Sequence, residues 1–404
     1  MNKEPLLYLC HRIPYPPNKG DKIRSFNILK KLSEQYDVYL ACFIDDPFDK
    51  QYVDELNKYC VDVCAIDQSK LLAKIKGLKA FLTGQAITLP YYADNKLKHW
   101  VNRVFHQKQI ENIFIYSSSM AQYCEGDDFA EAIRVIDFVD IDSDKWRQYA
   151  EKKSGIARWV FEREYRKLAH YEQKIAKNFD HSLFVSPDEA ALFQTLQPEE
   201  VHRKIHGMLN GVDVDFFNPK ADMANENIPQ APFISFTGAM DYWANVDSVI
   251  WFTKYIWPNI HQENPDCQFL IVGGNPSAEV QQLAKLPGVV VSGRVHDIRP
   301  YIVHAKCVVA PMQIARGIQN KVLEAMSLNK PIVTTTMGME GINAPANEHV
   351  VITDDAERFT QACLALLNNG NDCSNRQWII DNFTWQATLA YLTHYFKTDD
   401  VEGK

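Results

Sequence analysis

A chain of 404 residues is longer than one hydrophobic core usually supports, so two domains are expected. Its formal net charge of −8 argues against a dedicated nucleic-acid-binding protein, because such proteins gather phosphates with an overall positive field. No apolar run is long enough for a membrane-spanning helix, and the apolar residues 6–10 are too few for a signal peptide. Nine cysteines without a CxxC pair favour a reduced, cytoplasmic protein.

Short apolar strands alternate with helical segments through the N-terminal half. Strands are predicted at Leu6–Cys10, Val38–Ile44, Val61–Ile66, Asn112–Tyr116, Arg134–Phe138, His181–Val185 and Lys204–Leu209. This alternation is typical of a doubly wound parallel sheet with helices on both faces. We therefore predict a Rossmann-like α/β domain over residues 1–210.

The loop after the first strand is rich in charge and cannot be helical. Three prolines between residues 14 and 17 exclude a helix until one begins near Asp21. The charged residues of interest in this loop and helix start are Arg12, Lys19, Asp21, Lys22 and Arg24. They predict an anion or acceptor site, although a solvated loop would have the same composition. The loop lacks GxGxxG, so a dinucleotide fingerprint is not supported.

Two further segments of this half interrupt the pattern. A basic amphipathic helix at Lys70–Leu82 is suited to lie on an anionic membrane surface, or to pack its apolar side on the sheet. The acids of Asp137–Trp146 form a weak DxD-like signal for a metal, but Lys145 replaces the glycine that an EF-hand needs. We favour a carboxylate at the strand end, without metal. The charges of a long helix at Ser154–Asn178 are expected to be mostly solvated.

A polar, proline-bearing stretch precedes the second domain. Residues 211–232 are interpreted as a linker, and residues 233–383 as a domain in which three strands each end in glycine. Those glycines are Gly238, Gly273 and Gly293. Glycines at one sheet edge let a phosphate approach backbone amides, which favours a nucleotide site. A last helix at Trp385–Phe396, within residues 384–397, is expected to pack back on the N-terminal domain.

The segment Ala315–Met326 lies between two apolar strands, Cys307–Met312 and Ile332–Thr335. Its apolar positions recur at helical spacing, so a βαβ unit is predicted whose helix N-terminus faces the ligand side of the sheet. Gly317 would allow close backbone approach, Lys321 would add positive charge, and Glu324 would reach a ribose or sugar hydroxyl. An ordinary amphipathic helix with a solvated Lys and Glu remains open on these residues alone.

Several motifs together resemble glycosyltransferase family 4. The sequence Asn210-Gly211-Val212-Asp213 with Phe217 and Pro219 is similar to the family's interdomain signature, and Leu323–Met326 with Pro331–Val333 to its donor-site segment. His11–Arg24, Asp137–Trp146 and Phe236–Tyr242 resemble the sugar transferases of the PEP-CTERM/exosortase exopolysaccharide system. The resemblance implies a GT-B fold: two Rossmann-like doubly wound parallel-sheet domains facing a cleft, with the C-terminal helix crossing back to the N-terminal domain.

The resemblance also implies roles for residues. The family has two glutamates in its donor site: Glu324 matches the second, whereas Arg316 stands at the position of the first. The family also has an Arg and a Lys that hold the pyrophosphate, and this chain has Asp241–Asn245 at that place. The implied catalytic residues are Asp140, Arg316 and Lys321. The implied donor-binding residues are Gly20, Gly238, Arg294, Val295, Gly317, Ile318, Gln319 and Glu324. By the resemblance, the backbone of Val295 contacts the base, Glu324 contacts the ribose and Asp140 lies near the donor sugar. Arg12, Lys19, Asp21 and Arg24 are expected on the acceptor side, and no metal or other cofactor is expected.

The expected activity is retaining transfer of a hexosyl group from a nucleotide-diphosphate sugar to a hydroxyl of a glycan or lipid-linked acceptor. Peripheral contact with the cytoplasmic face of the inner membrane is expected through Lys70–Leu82, and nucleic acid is not an expected partner. A sugar-nucleotide epimerase of the same fold and a non-catalytic nucleotide-sugar-binding module remain alternatives. The epimerase would need no acceptor, and the binding module would release no nucleotide.

Overall fold

Two units make up the chain in a computed structural model that describes residues 3–224, 227–314, 318–368 and 373–397. One unit comprises the residues up to Met208 together with those from Leu389 onward, and the other comprises Leu209–Thr388. The predicted linker, residues 211–232, therefore lies inside the second unit. Among the helices of the described residues, none combines the length and the hydropathy needed to cross a bilayer.

The N-terminal unit contains a seven-stranded parallel sheet with the order β3-β2-β1-β4-β5-β6-β7. Its strands are β1 Glu4–Cys10, β2 Tyr36–Ile44, β3 Cys60–Asp67, β4 Asn112–Tyr116, β5 Ile133–Val139, β6 His181–Phe184 and β7 Ile205–Gly207. Its helices are α1 Gly20–Ser33, α2 Lys70–Leu78, α3 Ala80–Thr83, α4 Thr88–Tyr91, α5 Asn95–Lys108, α6 Asp142–Glu151, α7 Gly155–Asn178, α8 Pro187–Thr195 and α9 Glu199–His202. The strand order reverses between β1 and β4, which pair from Leu6↔Asn112 to Cys10↔Tyr116. Ligands of open α/β sheets bind at such a reversal, beyond the carboxyl ends of the strands.

The C-terminal unit contains a six-stranded parallel sheet with the order β10-β9-β8-β11-β12-β13. Its strands are β8 Phe233–Thr237, β9 Gln268–Val272, β10 Val289–Gly293, β11 Cys307–Ala310, β12 Ile332–Thr334 and β13 Val350–Ile352. Its helices are α10 Trp243–Tyr255, α11 Trp257–Glu263, α12 Ala278–Leu283, α13 Arg299–Val303, α14 Asn320–Ser327, α15 Ala356–Asn368, α16 Asn375–Asn382 and α17 Trp385–Thr388. Here the order reverses between β8 and β11, and the predicted βαβ unit is β11-α14-β12.

Near-continuous runs of Val, Ile, Leu and Phe form these strands because both faces of each sheet are covered. Leu6, Leu7 and Leu9 of β1 are fully buried, as are Val308 and Val309 of β11. Strands buried on both faces lack the polar alternation of half-exposed ones. The cores therefore lie on both sides of each sheet, while the edge strands β3 and β10 are partly exposed, as at Val61 and Val290.

Two predicted helices are each divided in the structure. The sequence after Gly238 predicts one helix over Val246–Ile260, but the structure has α10 followed by α11. Pro258 cannot continue the hydrogen-bonding pattern of a preceding helix, although it fits the first turn of a new one. The helix expected at Trp385–Phe396 is α17 followed by a 3₁₀ turn at Leu392–Phe396, so its prediction as one helix is wrong.

The charges of α7 are not all solvated as expected. Glu164 and Glu172 are fully buried, and both carboxylates accept hydrogen bonds from backbone and hydroxyl groups. Burial, followed by the nearby Asp142 charge, raises the pKa of Glu172 to about 8. These two acids are structural anchors for the helices packed against α7.

The residues that follow Asn-Gly-Val-Asp are fixed within the C-terminal unit by Arg376 of α16. Its guanidinium donates to the carbonyls of Val214 at 2.7 Å, Phe217 at 2.6 Å and Ser327 at 2.7 Å. Gly211 is obligatory because a Cβ there would lie 2.7 Å from backbone atoms of Trp385. These contacts tie the segment to Ser327 at the end of α14 and to Trp385 of α17.

Candidate functional site

The candidate site lies at the carboxyl ends of β8, β9 and β11 in the C-terminal unit. Gly238 and Gly273 follow β8 and β9 directly, and both have a φ that side-chain-bearing residues rarely adopt, +152° and +156°. A Cβ added to Gly273 would lie 1.7 Å from the carbonyl oxygen of Gly238. The two backbones therefore approach each other as only glycine allows. At this edge the chain has main chain without side chains at Gly238, which is half-buried, and at Gly273, which is buried.

Lys321, in the first turn of α14, extends its ammonium group to the first turn of α10. Its Nζ donates to Asn245 Oδ1 at 2.9 Å and lies 3.4 Å from Gln319 Oε1. Asn245 also donates to the Ala239 carbonyl at 2.9 Å, so its amide orientation is fixed. Lys321 thereby places a cation at the helix that follows β8, where the resemblance leads one to expect Arg and Lys.

Burial alters the protonation of both charged residues on α14. Lys321 is 8% exposed, and burial lowers its pKa to about 8, with the Glu324 charge opposing that decrease. Burial also raises the pKa of Glu324 to about 7, against the opposing Lys321 charge. The Glu324 carboxylate accepts no hydrogen bond from any residue within the described ranges. An acceptor group left without donors in this position suits a ligand that brings hydroxyls, such as a ribose.

The other predicted donor residues lie along the same sheet edge. Arg294 is exposed just after β10, with its Nε 3.6 Å from a Cβ placed on Gly274. The side chain of Val295 packs against a core cluster that includes Phe233 and Tyr301, so a ligand would meet its backbone. Ile318 is 7% exposed, and Gln319 directly precedes α14. Arg316 and Gly317 lie outside the described residues, and their predicted roles stay predictions.

In the N-terminal unit the predicted acceptor residues gather where the strand order reverses. Asp21 Oδ2 pairs with Arg12 and lies 3.6 Å from His11 Nε2, and Arg12 also pairs with Asp45 at 2.9 Å. Burial opposes ionisation of Asp21, but the hydrogen bond from His11 and the Arg12 charge hold its pKa below the usual range. Gly20 is the exposed first residue of α1, and Lys19 is half-buried before it. Their acceptor and donor roles stay predictions.

Arg24 is not solvent-facing, contrary to what an acceptor contact requires. It is 1% exposed, and it donates from Nε to Asp137 Oδ2 at 2.7 Å and from a terminal nitrogen to the Met208 carbonyl at 2.8 Å. Complete burial raises the pKa of Asp137, and the Arg24 charge limits that rise. The pair cross-links β5 to the end of β7, and its contacts support a structural role.

Asp140 follows a strained position at the end of β5. Val139 has a φ of +69°, which is unusual for a β-branched residue, and its N–H donates to Asp137 Oδ1 at 3.0 Å. Lys145 lies between Asp140 and Asp142, 3.0 and 3.1 Å from their oxygens. An ammonium group therefore occupies the place where a metal would bridge these acids. Within the described residues no cluster of three metal-ligating side chains was found.

Sequence reasoning did not single out Asn245, Asp137 or His11. His11 directly follows β1, Asp137 lies near the end of β5, and Asn245 lies in the first turn of α10. Asn245 orients Lys321, Asp137 fixes the backbone before Asp140, and His11 stacks on Tyr116 with ring centroids 5.8 Å apart. The partners that give them these roles include Lys321, Arg24 and Tyr116, all more than 70 residues away in the sequence, and a local pattern does not identify such pairs.

Known proteins resemble this chain in sequence and in fold. Residues 231–369 match the family model for "Glycosyl transferases group 1". A 44.6 kDa protein in the cps region of Klebsiella pneumoniae, itself uncharacterized, is 21% identical over 86% of this chain and 87% of its own length. Most of the C-terminal unit is therefore similar to group 1 glycosyl transferases.

Solved structures share the architecture of the whole chain. The lipopolysaccharide-biosynthesis glycosyltransferase WaaG is similar with a TM-score of 0.65 at 14% identity, over 97% of this chain and 100% of that one. Sucrose-phosphate synthase from Thermosynechococcus elongatus is similar with a TM-score of 0.68 at 16% identity, over 97% of this chain and 98% of that one. Anabaena HepE, solved with UDP-glucose, is similar with a TM-score of 0.62 at 12% identity, over 96% of this chain and 98% of that one. The predicted GT-B fold, with two parallel-sheet Rossmann-like domains, is confirmed.

Proposed function

We propose that this protein is a retaining glycosyltransferase of the hexosyl type. It would transfer a sugar from a nucleotide-diphosphate donor to a hydroxyl of a glycan or lipid-linked acceptor in bacterial exopolysaccharide assembly. The observation that carries the proposal is the Lys321–Asn245 pair beside the half-buried backbone of Gly238, inside the unit that matches group 1 glycosyl transferases. The resemblance to family 4 and to the PEP-CTERM-associated transferases supports the finer assignment.

The donor site would bind an extended ligand along the edge of the C-terminal sheet. The loop after β10 would take the base at Val295, and Glu324 would accept hydrogen bonds from the ribose. The pyrophosphate would lie against the glycine backbones near Lys321, whose pKa burial lowers to about 8. An anion there would restore the charge that burial disfavours.

The chemistry needs charge neutralisation more than a side-chain base. The bond between the anomeric carbon and the phosphate oxygen breaks, the acceptor oxygen bonds to that carbon on the same face, and the acceptor proton passes to the leaving phosphate. Lys321 would stabilise the negative charge that develops on the pyrophosphate, because a preorganised cation in a dry site acts strongly on developing charge. No metal is required in this scheme.

Known relatives support the substrate classes. The structure of Anabaena HepE contains UDP-glucose, and that of TarM from S. aureus contains UDP with alpha-GlcNAc-glycerol. The Klebsiella relative is encoded in a cps region. We infer a sugar nucleotide and a glycan-bearing acceptor here too, with the protein acting in the cytoplasm at the inner membrane.

Nucleotide release from UDP-, GDP- and ADP-sugars, with and without bacterial membrane extract, tests the proposal. We expect release of one nucleotide that depends on extract and is lost in Lys321→Met, while the exposed-lysine control Lys285→Met keeps it. Turnover of the sugar nucleotide without extract would support the epimerase instead. Thermal stabilisation by a nucleotide without any release would support a binding module.

A further inference from the structure

Helices α2 and α3 face the protein with their smallest residues and face solvent with their largest. Ala73 and Ala80 are buried, and a Cβ on Gly77 would lie 3.0 Å from Ile87 Cγ2. The large apolar side chains are exposed instead: Leu71 70%, Leu72 60%, Ile75 53%, Leu78 63% and Leu82 91%. They recur at the three- and four-residue spacing that places side chains on one helix face. The sequence left open whether this apolar side packs on the sheet, and the structure turns it outward.

The first turns of α7 extend this apolar face. Ile156 is 83% exposed and Trp159 is 58% exposed. Trp159 stacks on Phe81 of α3, with ring centroids 6.1 Å apart and an interplanar angle of 19°. Two segments about 75 residues apart in the sequence thus form one continuous apolar surface.

Polar contacts fix the two segments to each other. Arg163 donates to the carbonyls of Ala80 at 2.6 Å and Gln85 at 3.0 Å, and its guanidinium lies 4.8 Å from the Phe81 ring centroid. The buried Glu164 carboxylate accepts from the backbone N–H groups of Ile87 and Thr88, at 2.5 and 3.0 Å. The surface is therefore preformed, and a partner need not order it.

The charge around this surface is positive in a protein of net charge −8. No Asp or Glu occurs between Asp67 and Asp94, a stretch that contains four lysines. Lys74, Lys79 and Lys153 are exposed beside the apolar residues. Arg158 is exposed as well, but it pairs with Glu162 at 2.7 Å. An apolar face bordered by lysines is complementary to an anionic lipid surface, since aliphatic chains and negative headgroups meet it together.

We propose that this lipid-docking face, formed by Leu71, Leu72, Ile75, Leu78, Leu82, Ile156 and Trp159, inserts into the headgroup region of an anionic bilayer. The new element is the participation of α7, through Ile156 and Trp159, beside α2 and α3. Lipid binding itself does not depend on the donor site. Only its purpose, access to a lipid-linked acceptor, rests on the proposed function.

Co-sedimentation of the full chain with vesicles tests this face. Wild-type protein should bind vesicles of phosphatidylglycerol and phosphatidylethanolamine, and bind far less to pure phosphatidylcholine. Lys74→Gln with Lys79→Gln should weaken binding about thirtyfold, since each lysine near the surface contributes about fivefold. Leu71→Gln with Leu78→Gln should weaken it about tenfold or more. The matched controls, Lys220→Gln with Lys285→Gln and Leu196→Gln with Leu286→Gln, change exposed residues elsewhere and should bind as wild type does.

The contribution of α7 has its own readout. Brominated lipids quench tryptophans that enter the bilayer, so quenching of the bound protein should fall markedly in Trp159→Phe. Unchanged quenching would overturn the role of α7.

Absence of vesicle binding, or equal binding by wild type and the four double variants, would overturn the whole proposal. An oligomer in sedimentation velocity that Leu71→Gln with Leu78→Gln dissociates would also overturn it, in favour of self-association. If the protein transfers sugar to soluble acceptors but does not bind vesicles, the lipid-docking proposal fails while the proposed function stands.

Discussion

Replacing Lys321 by methionine is expected to stabilise the ligand-free protein at neutral pH while weakening nucleotide binding. The pKa of Lys321 falls from 10.5 to about 8 in the folded protein. That difference corresponds to about 3.4 kcal/mol of unfavourable free energy for the charged form. The lost hydrogen bond to Asn245 offsets about 1.5 kcal/mol of the gain. A net increase of about 2 kcal/mol in unfolding free energy should remain for Lys321→Met at pH 7.

The pH dependence gives the sharper test. Below pH 8 the lysine is charged in the folded and the unfolded chain, so its cost is fully present. As the pH rises through 8, the folded protein loses the proton first and the cost disappears. The stability advantage of Lys321→Met should therefore shrink by about 2.5 kcal/mol between pH 7 and pH 10. Urea unfolding of both proteins at several pH values measures this, with Lys285→Met as a control that has no such dependence.

The same variant should lose affinity for the donor nucleotide. A hydrogen bond to a charged group contributes about 1.5–3 kcal/mol, so Kd should rise about 10- to 150-fold. Isothermal titration calorimetry with the nucleotide identified in the release assay measures it. A Lys321→Met protein that is less stable than wild type at pH 7, with a difference that is constant from pH 7 to 10, would refute the view that this lysine is retained for a ligand. Unchanged nucleotide affinity would refute it equally.

Three further predictions concern other parts of the structure. Glu324→Gln should be more stable than wild type, and the difference in unfolding free energy should grow to about 3 kcal/mol as the pH rises from 4.5 through 7. The difference grows because the raised pKa of Glu324 makes the stability of the wild-type protein fall over that pH range. Denaturation at pH 5 and pH 8 measures the margin, and equal values would contradict the reasoning. Arg24→Met should lose about 3–5 kcal/mol, since it leaves Asp137 buried without its cation, and adding Asp137→Leu should recover part of that loss. A double-mutant cycle in which the two losses simply add would show that the pair is not coupled. Gly273→Ala should lose more than about 3 kcal/mol through its clash with Gly238, whereas Gly293→Ala, where a Cβ meets open space at a φ of +69°, should lose only about 1–2 kcal/mol. Similar melting temperatures for these two variants would argue against the close approach of the two strand ends.

Local patterns were sufficient for the strands of both sheets except β13, and the position of the site stays a prediction. The buried strands are continuous β-branched and aromatic runs, and glycines mark the strand ends at Gly238, Gly273 and Gly293. Patterns do not determine which distant residues meet. Asn245 and Lys321 are joined only because α10 and α14 lie beside adjacent strands, β8 and β11. The orientation of α2 also escaped prediction, because an amphipathic pattern defines a face but not the direction in which that face points.

Free energy of folding places little constraint on the outward side chains of α2 and α3. Leu71, Leu72 and Leu82 are mostly in water in the folded protein, as they are in the unfolded chain, so their hydrophobicity nearly cancels between the two states. Positions of this kind tolerate almost any polar residue as far as stability is concerned. Apolar residues are nevertheless present at five positions of one face. Folding therefore does not account for these apolar residues, whereas Ala73, Gly77 and Ala80 are the positions that folding itself constrains.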